Sequence, residues 1–206
     1  MKLLTVKYCL LFVSVLLAAS CSSIPSKKYY TLVNEGAGKA QSAAPVCSMP
    51  LVLVSVEASP PYDSDKIIFR TDKYEIKLYN YKLWAGTPED MMQRLLAEKI
   101  RKRNLFKTIE SYIHSSSRHI ALYARILNIE QIKKGKKWEA RLAMDFALRD
   151  SRTEETLWEF RFDRAVPIKK NDMADFIAML NSIYNNEADR MVASLHSFIS
   201  SYEGCK

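Results

Sequence analysis

Trp138-Glu139-Ala140-Arg141-Leu142-Ala143-Met144-Asp145-Phe146-Ala147-Leu148 is the run whose reading decides the fold class. Trp138, Ala140, Leu142, Met144, Phe146 and Leu148 share one parity; the other carries Glu139, Arg141 and Asp145 with two alanines. Successive side chains of a strand point to opposite faces, so this period of two describes a strand with one dry and one wet face. Trp158, Phe160 and Phe162 alternate with Glu159 and Arg161 in the same way, and Ile120 to Ile132 leads into the run. Together these segments predict an antiparallel meander. Gly135 marks the tip of its first hairpin, between Lys133-Lys134 and Lys136-Lys137. Those four lysines either meet phosphate headgroups or an acidic partner, or solubilise the turn and block edge pairing. The second account is the plainer one.

Toward the C-terminus, Asp172 to Tyr202 carries Met173, Phe176, Ile177, Leu180, Ile183, Tyr184, Met191, Val192, Leu195, Phe198 and Ile199 at helical spacing. A helix of roughly thirty residues is about 45 Å long. It is expected to lie along the sheet, with an apolar end that projects or meets a partner. On the other side of the meander, Thr87-Pro88-Glu89-Asp90 offers an N-cap, a proline for the first turn and two acids. Met91, Met92, Leu95, Leu96 and Ile100 then form an apolar stripe, followed by Arg101, Lys102 and Arg103 where cations are favoured. These methionines read as core rather than as ligands.

Ahead of that helix, Leu51 to Val56 reads as a strand buried on both faces, ended by Pro60-Pro61. Ile67 to Arg70 is a short strand and Thr71-Asp72-Lys73 a turn. Tyr74, Ile76 and Leu78 alternate with Glu75, Lys77 and Tyr79, which predicts a half-buried strand. Tyr29 to Val33 is a further strand, and Asn34 to Ala44, rich in Gly, Ala and Ser, reads as a flexible connection. The expected fold is α+β, in the order β-β-β-α-β-β-β-α. It is a two-layer sandwich with both helices on one face of a mainly antiparallel or mixed sheet.

The first twenty residues read as an export signal. Lys2 and Lys7 precede an apolar run, Leu10 to Ala19, too short to span a bilayer comfortably. Leu16-Leu17-Ala18-Ala19-Ser20-Cys21 follows, and it resembles the lipobox of bacterial lipoproteins, with Ala18 where that motif prefers Leu. The resemblance implies cleavage before Cys21 and diacylglyceryl on its thiol; an ordinary secretory cut near Ala18 or Ser20 would leave a plain thiol. The resulting division is 1–20 signal peptide, 21–28 lipidated cysteine and tether, and 29–206 a single periplasmic domain. The tether is short, so the domain is expected to sit close to the membrane.

The chain's 206 residues carry 31 Lys+Arg against 23 Asp+Glu, a net +8 that falls to about +6 when Lys2 and Lys7 are removed. Such an excess suits anionic headgroups or an acidic partner, and no nucleic acid is expected for an exported protein. Besides Cys21, only Cys47 and Cys205 remain after export, and an oxidising compartment favours their pairing over two free thiols. Closing so long a loop is worth on the order of 4 kcal/mol in the chain-entropy model.

Catalytic signatures are missing. His114, His119 and His196 have no metal-ligand spacing, no GxSxG elbow occurs, and five glycines build no phosphate loop. Asp63 and Asp65 read as turn residues rather than as an acid/base pair. Neither an enzyme nor a metal site is expected, and no cofactor beyond the lipid on Cys21.

Several short motifs carry a family likeness. They are Tyr29-Tyr30-Thr31-Leu32 after the cysteine, the strand Leu51 to Val56, Pro60-Pro61-Tyr62-Asp63, Ile67-Ile68-Phe69-Arg70, and Trp84 ahead of the helix-opening Pro88. In these the chain resembles the ABC-type transport auxiliary lipoproteins, the PqiC-type components of intermembrane transport systems. It departs from them at Tyr62-Asp63-Ser64 and Ala85-Gly86, where the family has a Pro-x-Leu-Asp turn and an acidic residue. The resemblance implies a non-enzymatic lipoprotein at the periplasmic face of the outer membrane. Its partners would be an ABC permease, its ATPase and a mammalian-cell-entry (MCE) domain protein that carries lipid between membranes. Ser22 after the cysteine, rather than the Asp of inner-membrane retention, accords with that location. Tyr29, Tyr30, Pro61, Tyr62, Asp63, Arg70 and Trp84 are the candidate contacts. Competing readings are an LptE-like lipoprotein of a lipopolysaccharide-export barrel and, more remotely, an envelope hydrolase.

Overall fold

The structure is a computed structural model that describes residues 25–35, 44–110, 118–170 and 172–206. The signal peptide, Cys21 and His114 lie outside the described residues. Five strands precede the first helix: β1 (Lys28–Tyr30), β2 (Leu51–Leu53), β3 (Glu57–Ala58), β4 (Lys66–Arg70) and β5 (Ile76–Trp84). Helix α1 (Pro88–Lys102) leads to β6 (Ile109–Glu110), β7 (Ile120–Lys134), β8 (Lys137–Asp150), β9 (Thr156–Pro167) and helix α2 (Met173–Ser201). The α+β class and mixed sheet are as expected, with more strands on either side of α1 than the three predicted.

Strand β7 organises the sheet. On one side it pairs antiparallel with β8, which pairs with β9. On the other side β2, β3 and β4 lie end to end along it, all parallel, against Ile120–Leu122, Arg125–Ile126 and Glu130–Ile132. The aliphatic stretch from Leu51 is thus broken after Leu53 and resumes at Glu57, because three short strands share a single 15-residue neighbour. β6 continues the sheet beyond β2, while β5 and then β1 continue it beyond β4.

The inner face of the meander is dry as predicted. Ala140, Leu142, Met144, Phe146 and Leu148 join Ile120, Leu122, Ala124, Ile126 and Ile129 in the core. A register shift between Ile126 and Asn128 keeps Ile129 opposite Leu142 on that face. Both helices contribute to the same core through Met92, Leu95, Leu96, Phe176, Leu180, Met191 and Leu195. The Thr87 hydroxyl caps α1 by accepting from the Asp90 N–H at 3.3 Å, and the Asp172 carboxylate caps α2 by accepting from the Asp175 N–H at 2.8 Å. Buried positions of α2 run from Met173 to Ile199, so its far end does not project as an apolar stub. A disulfide between Cys47 and Cys205 ties the segment after α2 to the start of the domain. Among the described residues no helix is long and apolar enough to cross a membrane.

Two expectations change. Asn34 and Glu35 are held rather than flexible: the Asn34 amide donates to Leu95 O at 3.0 Å, and the Glu35 N–H donates to Asn185 Oδ1 at 2.9 Å. Strand β5 also turns its apolar set outward: Ile76 and Leu78 are 40% and 47% exposed, and Tyr74 just before them is 86% exposed. Its register causes this. Leu78 pairs with Ile68 and Ile76 with Arg70, and both partners share the row and face of the outward-pointing Glu130 and Ile132 of β7.

Candidate functional site

The outer face of the sheet, away from the helices, holds a buried polar cluster around Glu130. Its carboxylate is fully buried, accepting from the Tyr62 hydroxyl at 2.7 Å and from Arg70 Nε at 2.6 Å. The Asn128 amide donates to the same hydroxyl at 2.8 Å, and Arg141 Nη1 approaches Glu130 at 3.5 Å while forking onto Asp163 at 2.9 and 2.7 Å. A buried carboxylate is tolerated only when paired and hydrogen-bonded, and here Tyr62 and Arg70 both donate to it directly. Burial, with the Glu130 hydrogen bond, pushes the Tyr62 phenol above its ordinary range despite the opposing Arg70 and Asn128 contacts. Burial opposes the charge on Arg70, but its bonds to Tyr62 and Glu130 win and hold its pKa above the usual value. The hydrogen bonds to Tyr62 lock the Ser59–Tyr62 turn, closed by Tyr62 N–H to Ser59 O at 2.9 Å, onto the outer face.

Tyr62 and Arg70, separate candidates in the sequence, therefore meet at Glu130. Tyr62 is only 3% exposed and Trp84 only 1%, so neither offers a surface; both are corrected from contact residues to residues that hold the fold. Each sits where its ring has apolar cover, Trp84 in the core and Tyr62 against the sheet. Tyr29 is exposed beside β5, while Tyr30 packs partly against the core. Pro61 is half-buried and Asp63 exposed in the turn, where Ser64 Oγ accepts the Lys66 N–H at 3.4 Å. Lys133, Lys134, Lys136 and Lys137 are all exposed at the β7–β8 tip, with Gly135 in a left-handed conformation at φ 63°.

A second polar clasp holds the chain after β1. Asn181 Oδ1 accepts the Val33 N–H at 2.8 Å, and the Asn185 amide donates to Val33 O at 3.0 Å. Asn181 also bonds to the Glu35 carboxylate. Lys99, on α1, donates to Asn185 O and Oδ1 at 3.0 and 3.2 Å. Burial lowers the Lys99 pKa against the pull of Asp189. The strap Leu32–Glu35 is thus fastened to both helices. Sequence reasoning missed Glu130, Lys99, Asn181 and Asn185. For Lys99, Asn181 and Asn185 the one signal was a polar residue beside an apolar helical stripe; Glu130, on a polar strand face, gave none.

Farther along the outer face, a groove of about 500 Å³ is lined by Tyr123, Arg125, Asp145, Arg149, Glu159 and Arg161 among others. Arg125 pairs with Asp145 at 2.9 Å, and the Arg149 guanidinium lies 4.9 Å from the Tyr123 ring centre. Among the described residues no group of three His, Cys, Asp or Glu side chains could hold a metal ion.

The fold recurs in solved structures. A crystal structure of a Xanthomonas campestris protein has a TM-score of 0.66 at 18% identity, covering 85% of this chain and 96% of that one. A Chlamydia trachomatis structure has a TM-score of 0.53 at 7% identity, covering 75% and 99%. At these identities the likeness concerns the fold alone. No curated protein matches the chain. The family model described as the ABC-type transport auxiliary lipoprotein component matches residues 30–192, from the end of β1 into the second half of α2. The strap, α1, strands β2 to β9 and α2 as far as Val192 lie within that match, and the chain belongs to the ABC-type transport auxiliary lipoprotein family.

Proposed function

We propose that the chain is lipidated on Cys21, held at the periplasmic face of the outer membrane, and there docks the MCE-domain protein of an ABC-driven system that moves lipid between membranes. The family match over residues 30–192 carries this reading. Lys28, the first residue of β1, lies seven residues after Cys21, so only a short segment separates the anchor from the sheet. One acyl chain holds a protein only marginally, and the several chains of a mature lipoprotein hold it firmly. The role is positional rather than catalytic: a rigid sheet presents surface to the transport assembly while the lipid keeps it at the membrane.

Crosslinked envelopes carrying the tagged full-length chain are expected to yield the MCE-domain protein together with the permease. Cys21→Ala is expected to move folded protein into the soluble periplasmic fraction. Recovery of neither partner would defeat the docking role, and a Cys21→Ala protein that stays on the membrane would defeat the anchor.

A further inference from the structure

One end of the sheet gathers features the proposed function leaves unused. Rows across the sheet run Pro167–Glu139–Ile132–Arg70–Ile76, so the β7–β8 tip, the β4–β5 turn and the end of β9 project from the same edge of the molecule. Lys133, Lys134, Lys136 and Lys137 stand on the first and Lys169 and Lys170 just past the last, all exposed. The acids nearby are Glu139, Asp172, Asp175 and, in the β4–β5 turn, Asp72 and Glu75; Glu139 lies 3.8 Å from Lys134, Asp172 caps α2, Asp175 accepts the Lys170 N–H, and Asp72 accepts the Tyr74 and Glu75 N–H groups. Beside these lysines the β4–β5 turn exposes Tyr74, and β5 exposes Ile76 and Leu78. Within that turn Lys73 lies 5.4 Å over the Tyr74 ring, and Lys77 pairs with Glu75 at 2.7 Å. An aromatic and two aliphatics beside six lysines match a surface that is apolar below and anionic above.

The chain itself points the same way. β1 runs parallel to β5 with Lys28 opposite Lys82, so tracing back from Lys28 leads along β5 toward Ile76. Lys82 lies six residues from Ile76, roughly 20 Å of strand. Cys21 lies seven residues before Lys28, a reach of up to roughly 24 Å. The anchor's maximum reach is therefore enough to cover the distance to this end.

We infer that this end of the domain is a membrane-contacting surface, its lysines on anionic phospholipid headgroups and Tyr74, Ile76 and Leu78 in the interface. The inference rests on the lipid anchor of the proposed function. It gives the domain an orientation, with the Asp150–Glu155 turn, at the opposite end of the β8–β9 hairpin, facing away from the bilayer.

The test uses the full chain, matured and lipidated, in vesicles of phosphatidylethanolamine and phosphatidylglycerol. Nitroxides are placed at Tyr74→Cys and, at the far turn, Thr153→Cys; both positions are exposed, so folding is spared. The label at 74 is expected to show a several-fold higher ratio of oxygen to aqueous-nickel accessibility than the label at 153. That ratio is expected to fall in pure phosphatidylcholine, and when Lys133, Lys134, Lys136 and Lys137 are changed to Glu. Equal aqueous exposure of both labels overturns the inference, as does shielding at 74 that persists in detergent with dipolar broadening, the mark of a second copy. Mass spectrometry of the same preparation reads the anchor separately. A chain without the acyl mass defeats the anchor reading, while a lipidated chain with position 74 in water defeats the orientation alone.

Discussion

Strands β8 and β5 both alternate apolar and polar side chains, yet β8 buries its apolar set and β5 exposes its own. β8 lies between β7 and β9, with α2 against it and β9, so the parity of Leu142, Met144 and Phe146 meets a helix. β5 lies between the five-residue β4 and the three-residue β1, and its register comes from β4. Ile67 goes into the core, which turns Ile68 to the outer face and carries Leu78 with it. Ile68 is nevertheless buried, next to the Glu130 cluster that pins the Tyr62 turn down; Leu78, one strand farther out, is not covered. Periodicity tells which residues share a face. It does not tell which face another element will cover.

The sharpest way to break this comparison is to remove apolar side chains from each strand. Phe146→Ala, which empties a site 3% exposed and packed near Phe160 and Phe162, is expected to cost about 4 kcal/mol in chemical denaturation. A loss under about 1 kcal/mol would mean that the inner face is not the core described.

Next is the outer face. Glu130→Ala removes a buried carboxylate that holds Tyr62 and Arg70, and about 3 kcal/mol is expected, because the remaining groups lose a charged partner. A neutral result would mean that the turn is held without the cluster.

A smaller effect lies at the far end of β8. Arg118 holds the Asp150 carboxylate below its ordinary value, with burial opposing and the Arg152 N–H assisting. A depressed folded pKa gives stability that is fully present above the unfolded value, near 4, and is lost as pH falls through the folded value. Asp150→Asn is therefore expected to cost about 2 kcal/mol at pH 7 and to flatten the acid limb of the stability profile. An unchanged acid limb would count against the pairing.

The smallest effect is the most telling for β5. Ile76→Ser with Leu78→Ser is expected to change stability by no more than about 0.5 kcal/mol. A cost of 2 kcal/mol or more would show that these side chains are covered in the free protein and would remove the contrast with β8.

The strap and the two polar clusters show the same limit from another side. Asn34 and Glu35 open a Gly, Ala and Ser-rich stretch, so their composition reads as a linker, but Leu95 and Glu98 hold Asn34 from about 60 residues away and Asn181 and Asn185 hold Glu35 from about 150. Glu130 stands between Ile129 and Gln131, and its burial depends on Tyr62 and Arg70, some 60 residues earlier. Trp84 and Tyr62, prominent in the family likeness, serve the interior of the fold.

The sequence by itself determined what depends on neighbours along the chain. The Thr87-Pro88 cap, the period of Trp138 to Leu148, the apolar stripe of α2 and the meander's short turn are all written within a few residues of where they act. The family was legible for the same reason, through short local motifs. Only the tertiary structure decided that β7 would carry three short strands on one side and that Glu130 would be sealed. It alone set Ile76 and Leu78 outward beside a lysine-rich edge. Burial and register at a sheet's edge are set by what packs across from a residue, and those partners lie far off in the chain.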